Sequence, residues 1–247
     1  MRIDLNADLG ESDAPDADVA LLELVSSANV ACGFHAGGPA LMHRAVRAAR
    51  GLGVALGAHP SYPGSAGFGR VAVVRPDEEV VDDVLYQVGA LAAIAAAEGV
   101  RLSHVKPHGA LYTAASESPA LALTLARTLA GFDGRLRLTL RAASPGLAAV
   151  RAAGFAALAE GFADRAYLAG GRLAPRDRPG ALLTEPARVA ERAVALARGA
   201  AVATEDGGAV RLEVDTLCLH GDTPGAAGLA RAARAALEAA GFEVAPA

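Results

Sequence analysis

Residues 2–8 read RIDLNAD, and their alternation decides the fold. In an extended strand Ile3, Leu5 and Ala7 face one side while Asp4, Asn6 and Asp8 face the other. An open sheet covered by helices on both faces would bury that acidic wall, whereas a closed barrel of parallel strands can point it into a solvated mouth. Two later runs repeat the pattern. His104, Lys106 and His108 share a parity if their strand stays extended, and so do Cys218, His220 and Asp222.

Outward from this strand, short β-like runs alternate with longer amphipathic segments rich in Ala, Leu and Arg, the rhythm of parallel strands joined by crossover helices. Seven strands are expected near 2–6, 29–31, 54–58, 102–106, 136–140, 156–160 and 216–220. Helices are expected over 17–27, 39–52, 76–98, 119–130, 186–198 and 224–240, several with Pro in the first turn. The expected fold is α/β: a single-domain, seven-stranded parallel β/α barrel spanning 1–247. Two stretches interrupt it. Residues 168–183, containing GGRLAPRDRPG, read as an exposed excursion or lid, and 205–214, EDGGAVRLEV, as a hairpin arm.

Composition narrows the function. With 247 residues, 53% hydrophobic and 20% charged, the chain has ample material for a core and is no disordered segment. Its net charge of −4 offers no basic surplus for nucleic acid or an anionic bilayer. Every apolar run is expected to fall short of the roughly 18 residues that span a membrane, and the N-terminus lacks a signal-like stretch, so a cytoplasmic location and no membrane partner are expected. Cys32 and Cys218 read as reduced, buried thiols rather than nucleophiles.

Ionisable residues concentrate where strands give way to loops: Asp4, Asp8, Glu11, His35, His59, Lys106, His108, Glu160, Asp164, His220 and Asp222. In β/α barrels those strand ends form the active face. Lys106 is the only lysine in the chain, and its ammonium is a compact point charge that arginine cannot replace. The Gly-rich stretches CGFHAGG and GFGR match neither a P-loop nor a dinucleotide fingerprint.

The runs DLNADLGE from Asp4, NVACGFHAGGP from Asn29, GAHPSYPGSAGFGR from Gly57, VKPHGALY from Val105, EGFADRAY from Glu160 and HGDTPGA from His220 resemble the LamB/YcsF family, in order from first strand to last. The sequence departs from the family pattern only at motif edges: Gly38, Gly64, Val71 and Thr113. The resemblance implies a barrel like those of the glycoside hydrolase/deacetylase superfamily. It also implies the activity of an ATP-hydrolysing 5-oxoprolinase, of which the family supplies the A subunit. Such an enzyme cleaves 5-oxo-L-proline to L-glutamate with ATP as co-substrate, together with Mg2+, and works only with partner subunits B and C.

For that chemistry, residue type and position assign Asp8 as base, His59 and His220 as proton-transfer partners, and Lys106 to developing negative charge. Asn6, His35, Arg70, His108, Arg165 and Asp222 are assigned to substrate. Two alternatives are a stand-alone metal-dependent amide hydrolase, with Asp8, His59 and His108 holding a divalent metal, and a non-catalytic scaffold protein.

Overall fold

The structure, a computed structural model, describes residues 1–11, 15–64, 67–223 and 225–247. Pro224, expected to open the last helix, and Ser65 and Ala66 of the third motif lie outside the described residues. The chain runs β1 (Arg2–Leu9), α1 (Pro15–Leu22), β2 (Ser27–Ala31), α2 (Pro39–Leu52), β3 (Ala55–His59), α3 (Asp77–Ala97), β4 (Leu102–Val105), α4 (Gly109–Glu117) and α5 (Pro119–Phe132). It continues through β5 (Arg137–Arg141), α6 (Pro145–Ala152), β6 (Ala157–Phe162), α7 (Pro186–Ala197), β7 (Val202–Ala203), β8 (Ala209–Val210), β9 (Thr216–Leu219), α8 (Ala226–Ala239) and β10 (Glu243–Val244).

Seven parallel strands close into a barrel in the order β1-β2-β3-β4-β5-β6-β9, with β9 returning to β1 through Asp4↔Thr216 to Ala7↔Leu219. The outward residues of β1, Ile3, Leu5, Ala7 and Leu9, are buried under the helical ring, and the inward Asp4, Asn6 and Asp8 are buried inside the barrel. β1 is strongly staggered. Its first residues pair with β10, Arg2↔Glu243 and Ile3↔Val244, and only from Asn6 onward does it pair with β2. That stagger lets β1 run to Leu9 instead of stopping at Asn6 and lifts Asp8 to the mouth.

Local chemistry explains the other differences. The helix expected over 17–27 stops at Leu22, because Ser26 and Ser27 turn their hydroxyls onto Asp4 and the chain enters β2. The α6 helix, not expected, is set by Ser144 and Pro145: the serine hydroxyl accepts from the Leu147 N–H, and Pro opens the first turn. The arm at 205–214 is a hairpin that starts earlier: Val202–Ala203 pairs antiparallel with Ala209–Val210 around Gly207 at φ +82°.

The segment 168–183 leaves the barrel as an excursion, with Arg172, Pro175, Asp177 and Gly180 exposed. Arg165 bridges Leu182, Tyr167 bridges Leu173, and Ala174, Ala181 and Leu183 are buried, so it is anchored at the barrel mouth. One expectation is corrected: not all apolar runs fall short of a membrane span, since α3 holds an 18-residue window of mean hydropathy 1.5. Its Val80, Val81, Val84, Val88, Leu91 and Ala95 are buried, which gives that apolar surface a place in the barrel's outer layer.

Candidate functional site

The barrel interior is polar from floor to mouth. At the floor the Asp4 carboxylate accepts from three hydroxyls, Ser26 (2.7 Å), Ser27 (2.8 Å) and Thr216 (2.6 Å). Burial raises its pKa above the ordinary value, and the three hydroxyls oppose that rise. One layer up, Asn6 donates to Glu160 (3.1 Å) and Thr216 (2.6 Å) and accepts from Asn29 (2.8 Å). The His104 ring reaches Asn29 Oδ1 (2.7 Å) over Gly57 of the intervening β3, where any Cβ would collide with the ring. Burial pushes His104 down to about 3, so it is a neutral packing element.

Above this layer sits Lys106, whose three N–H bonds are surrounded by four acceptors: Asp8 Oδ1 (2.9 Å), Glu160 Oε1 (2.9 Å), Cys218 Sγ (3.0 Å) and Asn6 Oδ1 (3.4 Å). Burial disfavours the ammonium, but Asp8, the Cys218 sulfur and Glu160 together hold its pKa well above the ordinary value. Burial alone would likewise raise Asp8, yet Lys106 and then His59 hold that carboxyl well below the usual range. Lys106 is therefore held as a cation, with its hydrogens met by these protein acceptors and its ammonium beside Asp8 at the cleft.

Beside Asp8 lies a second cluster. Ligand atoms of Glu11, His35, His59 and His108 all fall within 4.8 Å of one another. The hydrogen bonds constrain their tautomers. His59 Nδ1 faces the Lys106 carbonyl (2.6 Å) and His108 Nε2 faces the Phe68 carbonyl (2.9 Å). Carbonyls only accept, so each of those nitrogens carries its hydrogen there. That leaves His59 Nε2 and His108 Nδ1 facing each other at 3.0 Å, with Glu11 Oε1 at 3.8 and 3.3 Å. Two lone pairs at that distance need a shared proton or a cation between them. Burial opposes a proton on His59, but Asp8, whose Oδ2 is 3.5 Å away, raises its pKa above the ordinary value.

A divalent metal fits the same donors: two imidazoles and one or two carboxylates suit a borderline cation. Of the expected metal set, His59 and His108 meet this geometry together with Glu11; Asp8 gives its Oδ1 to Lys106, keeps Oδ2 3.5 Å from His59 Nε2, and falls in a second such group with Cys218 and His220. His35 stacks on His108 (3.8 Å between centroids, 2° between planes), so one ion cannot lie in both ring planes. Its Nε2, 3.0 Å from Glu11, is placed to orient that carboxylate. Gly69, at φ +63°, lets the chain pass over these rings, since a Cβ there would stand 2.9 Å from His108 and 3.0 Å from His35.

A third unit is Asp164 with His220. The Asp164 carboxylate is fully buried, receives the His220 backbone N–H (3.0 Å) and lies 3.0 Å from His220 Nδ1. Burial would raise its pKa, and the His220 ring and N–H hold it below the ordinary value. The ring stacks on Phe162, which fixes its orientation at the mouth.

These units open into one cavity of about 410 Å³ at the C-terminal ends of the strands, lined on one side by Asp8, His59, Lys106, His108 and His220. Tyr112, Phe162, Leu173, Ala174 and Pro175 form the apolar wall, the last three from the packed excursion. Arg70, Arg165 and Arg176 supply positive charge. Arg165 is buried, donates to the Ala174 carbonyl (2.5 Å), has an unpartnered Nε, and is lowered to about 10 by burial and the neighbouring Arg176.

Of the residues expected at substrate, Arg70, His108 and Arg165 line this cavity. Asn6 and His35 do not: Asn6 is spent below Lys106, and His35 sits behind His108 on Glu11. Asp222 stands on the rim, bonded to Arg70 and Arg176 (3.3 Å), and lines an adjacent cavity with Asp8, Glu11 and Asp18. Sequence reasoning assigned no role to Glu11, Tyr112, Phe162, Glu160, Asp164 or Arg176. Glu11, Glu160 and Asp164 carried the signal of lying at strand ends, whereas Tyr112 and Phe162 carried none beyond their place in a motif.

Residues 3–247 match the LamB/YcsF family, and the chain belongs to it. It is 51% identical over 246 residues to the 5-oxoprolinase A subunit of Methylococcus capsulatus, covering 98% of this chain and 95% of that protein. It is 48% identical over 247 residues to the 5-oxoprolinase A subunit of Thermus thermophilus, covering 99% of each. The solved structure of the lactam utilization protein from Thermus thermophilus superposes with a TM-score of 0.92 at 46% identity, covering 100% of both chains. A family 4 carbohydrate esterase from Streptomyces lividans shares the fold, at a TM-score of 0.51 and 12% identity over 100% of this chain and 98% of that one.

Proposed function

From that membership we propose that this chain is the A subunit of a 5-oxoprolinase, opening 5-oxo-L-proline to L-glutamate coupled to hydrolysis of ATP to ADP and phosphate, in complex with subunits B and C. The observation that carries the reading is the end-to-end identity of about half with proteins of that name. The cleft supports it. An unstrained lactam resists water; phosphorylating its amide oxygen makes the carbonyl carbon electrophilic and creates a leaving group. Such a route needs a base for water, a proton donor for the departing nitrogen, and cations for a carboxylate and a phosphoryl group.

Asp8, held ionised by Lys106, stands over the cavity as the base. His220, oriented by Asp164, and His59 move protons. Arg165, with Arg70 and Arg176, receives the anionic groups. Reconstitution with the two partner subunits tests the reading: glutamate and ADP release should both depend on 5-oxoproline, and the chain alone should show neither.

One observation favours a second reading, a metal-dependent amide hydrolase acting without ATP: the facing nitrogens of His59 and His108 beside Glu11. A bound metal there would polarise a carbonyl or activate water. Amide hydrolysis by the chain alone, without ATP, lost on chelation and restored by Zn2+ or Mn2+, would establish it.

A further inference from the structure

Three guanidiniums line the cleft, and they differ in what balances their charge. Arg70 and Arg176 both bond one carboxylate oxygen on the rim, Asp222 Oδ2. Arg165 has no carboxylate of its own among the described residues. The one next to it in sequence, Asp164, is spent on the His220 ring and N–H and on the Thr223 hydroxyl (3.3 Å).

Buried charges are ordinarily paired, because an ion taken out of water loses more than packing returns. Arg165 is only 6% exposed, and a single nitrogen, Nη2, meets a protein acceptor, the Ala174 carbonyl (2.5 Å). Its Nε is sealed from solvent without a partner. Nη1 has no protein acceptor either, but it is not sealed, and the solvent it meets is that of the cleft. With its pKa at about 10, the side chain is still a cation at neutral pH. The backbone here is held on two sides, since Arg165 bridges Leu182 and its carbonyl accepts from Arg192. The cation is therefore in place before a ligand arrives, which spares the ligand the cost of ordering it.

The wall shared with Arg165 is apolar, built of Phe162, Leu173, Ala174 and Pro175. One guanidinium against such a wall balances one unit of charge on a small, mostly apolar body, as in a ring acid. A phosphoryl group carries close to two charges and more oxygens than one open nitrogen can meet.

We propose that Arg165 is the specificity-determining residue for the substrate's carboxylate: its open guanidinium edge binds the carboxylate on the lactam ring and selects lactam acids over neutral lactams of the same shape. This rests on the 5-oxoprolinase reading and deepens it, separating Arg165 from Arg70 and Arg176, whose charge Asp222 already offsets. A site built around a buried polar group rejects a ligand that leaves the group unpaired far more strongly than an apolar pocket rejects a change of shape.

The test uses the assembled three-subunit complex with 5-oxoproline as substrate and 5-oxoprolinamide, which carries a neutral carboxamide in place of the carboxylate, as competing ligand. In the unaltered complex the inhibition constant of the amide should lie at least about tenfold above the KM for 5-oxoproline. Arg165→Gln should raise that KM at least about tenfold with kcat within about threefold, as loss of uniform binding requires, while the amide constant stays within about twofold. A merely structural role would move both ligands together.

Equal change for acid and amide, or none for either, overturns the inference while turnover of 5-oxoproline by the unaltered complex keeps the functional reading standing. An unaltered complex inactive on 5-oxoproline brings down the functional reading and the inference with it. Should Arg165→Gln fail to assemble, Arg165→Lys takes its place, keeping the charge and losing the fork: the KM for the acid should rise about threefold with the amide constant unmoved, and an equal shift of both overturns the inference. Equal affinity of the unaltered complex for acid and amide overturns it without any variant.

Discussion

Asp4 and Asp8 lie on one strand, point into one barrel and are both almost wholly buried, yet they are opposite kinds of carboxylate. Asp4 at the floor is met by three neutral hydroxyls, and burial raises its pKa. Asp8 at the mouth is met by an ammonium and an imidazole that depress its own. Around Asp4 both carboxylate oxygens are met by hydroxyl hydrogens, three in all, whereas around Glu11 the facing nitrogens of His59 and His108 add acceptors without hydrogens. A saturated network stabilises a fold, and an unsaturated one is prepared to take something up.

The sharpest way to break the contrast is Lys106→Met, which leaves Asp8 and Glu160 buried without their shared cation. Loss of about 3–5 kcal/mol is expected, read as a lower denaturation midpoint, together with loss of turnover. A variant as stable as the parent would show that the ammonium is not what makes the mouth charged.

Next in size, Asp8→Asn in the assembled complex should reduce kcat by about 10²–10⁴-fold, the range for a positioned base. Asp4→Asn should leave kcat within about twofold and instead cost about 1–3 kcal/mol of stability, since it disturbs a filled hydroxyl shell. The two substitutions thus exchange activity for stability, and equal effects on kcat would erase the distinction.

The unsaturated side is also open to a direct titration. Chelator-treated chain should bind about one equivalent of Zn2+ or Mn2+ by calorimetry, with affinity reduced at least about tenfold by His108→Ala or Glu11→Gln and unchanged by Asp4→Asn. Absence of stoichiometric binding would assign the His59–His108 contact to a shared proton.

A smaller effect separates the carboxylates by pH. Because Asp4 has its folded pKa raised above the unfolded value, its contribution is fully present below the unfolded pKa of about 3.8 and is lost as pH rises through the folded value. On acidification the parent should therefore lose less stability than Asp4→Asn, and parallel acid unfolding curves would contradict this. The smallest expected signal is thiol labelling. Burial raises Cys32 to about 12 and Cys218 well above its ordinary value, so neither should react with a thiolate-selective reagent at pH 8 until the chain unfolds.

Much of the barrel was legible in the sequence because a strand buried on one side by helices and on the other by polar layers must alternate with period two. Strand β1 shows this through Asp4, Asn6 and Asp8, and Lys106 follows the same rule on leaving β4. The helices α4 and α6 were missed because they are short, nine and eight residues, and begin on local signals, Gly109 at φ +56° for α4 and Ser144 with Pro145 for α6, rather than on long amphipathic repeats. β10 was missed because two residues carry no periodicity; it exists only because the stagger of β1 leaves Arg2 and Ile3 unpaired.

At the site, the sequence by itself determined which side chains face the barrel interior and which of them lie near the strand ends: Asp8, His59, Lys106, His108 and His220 all reach the cleft. Only the tertiary structure decided what each one meets there. Asn6 is consumed below the cleft, His35 is set behind His108, Asp222 is drawn to the rim, and Glu11 joins two histidines far away in sequence. The physical reason is that alternation is a property of one strand, readable along the chain, whereas a carboxylate's partners come from neighbouring strands whose register is set by stagger and helix packing. Ser26 and Thr216 arrive at Asp4 and Lys106 arrives at Asp8 through Asp4↔Thr216, Ala58↔Val105 and their neighbours in the ladder. No local pattern in β1 encodes that pairing.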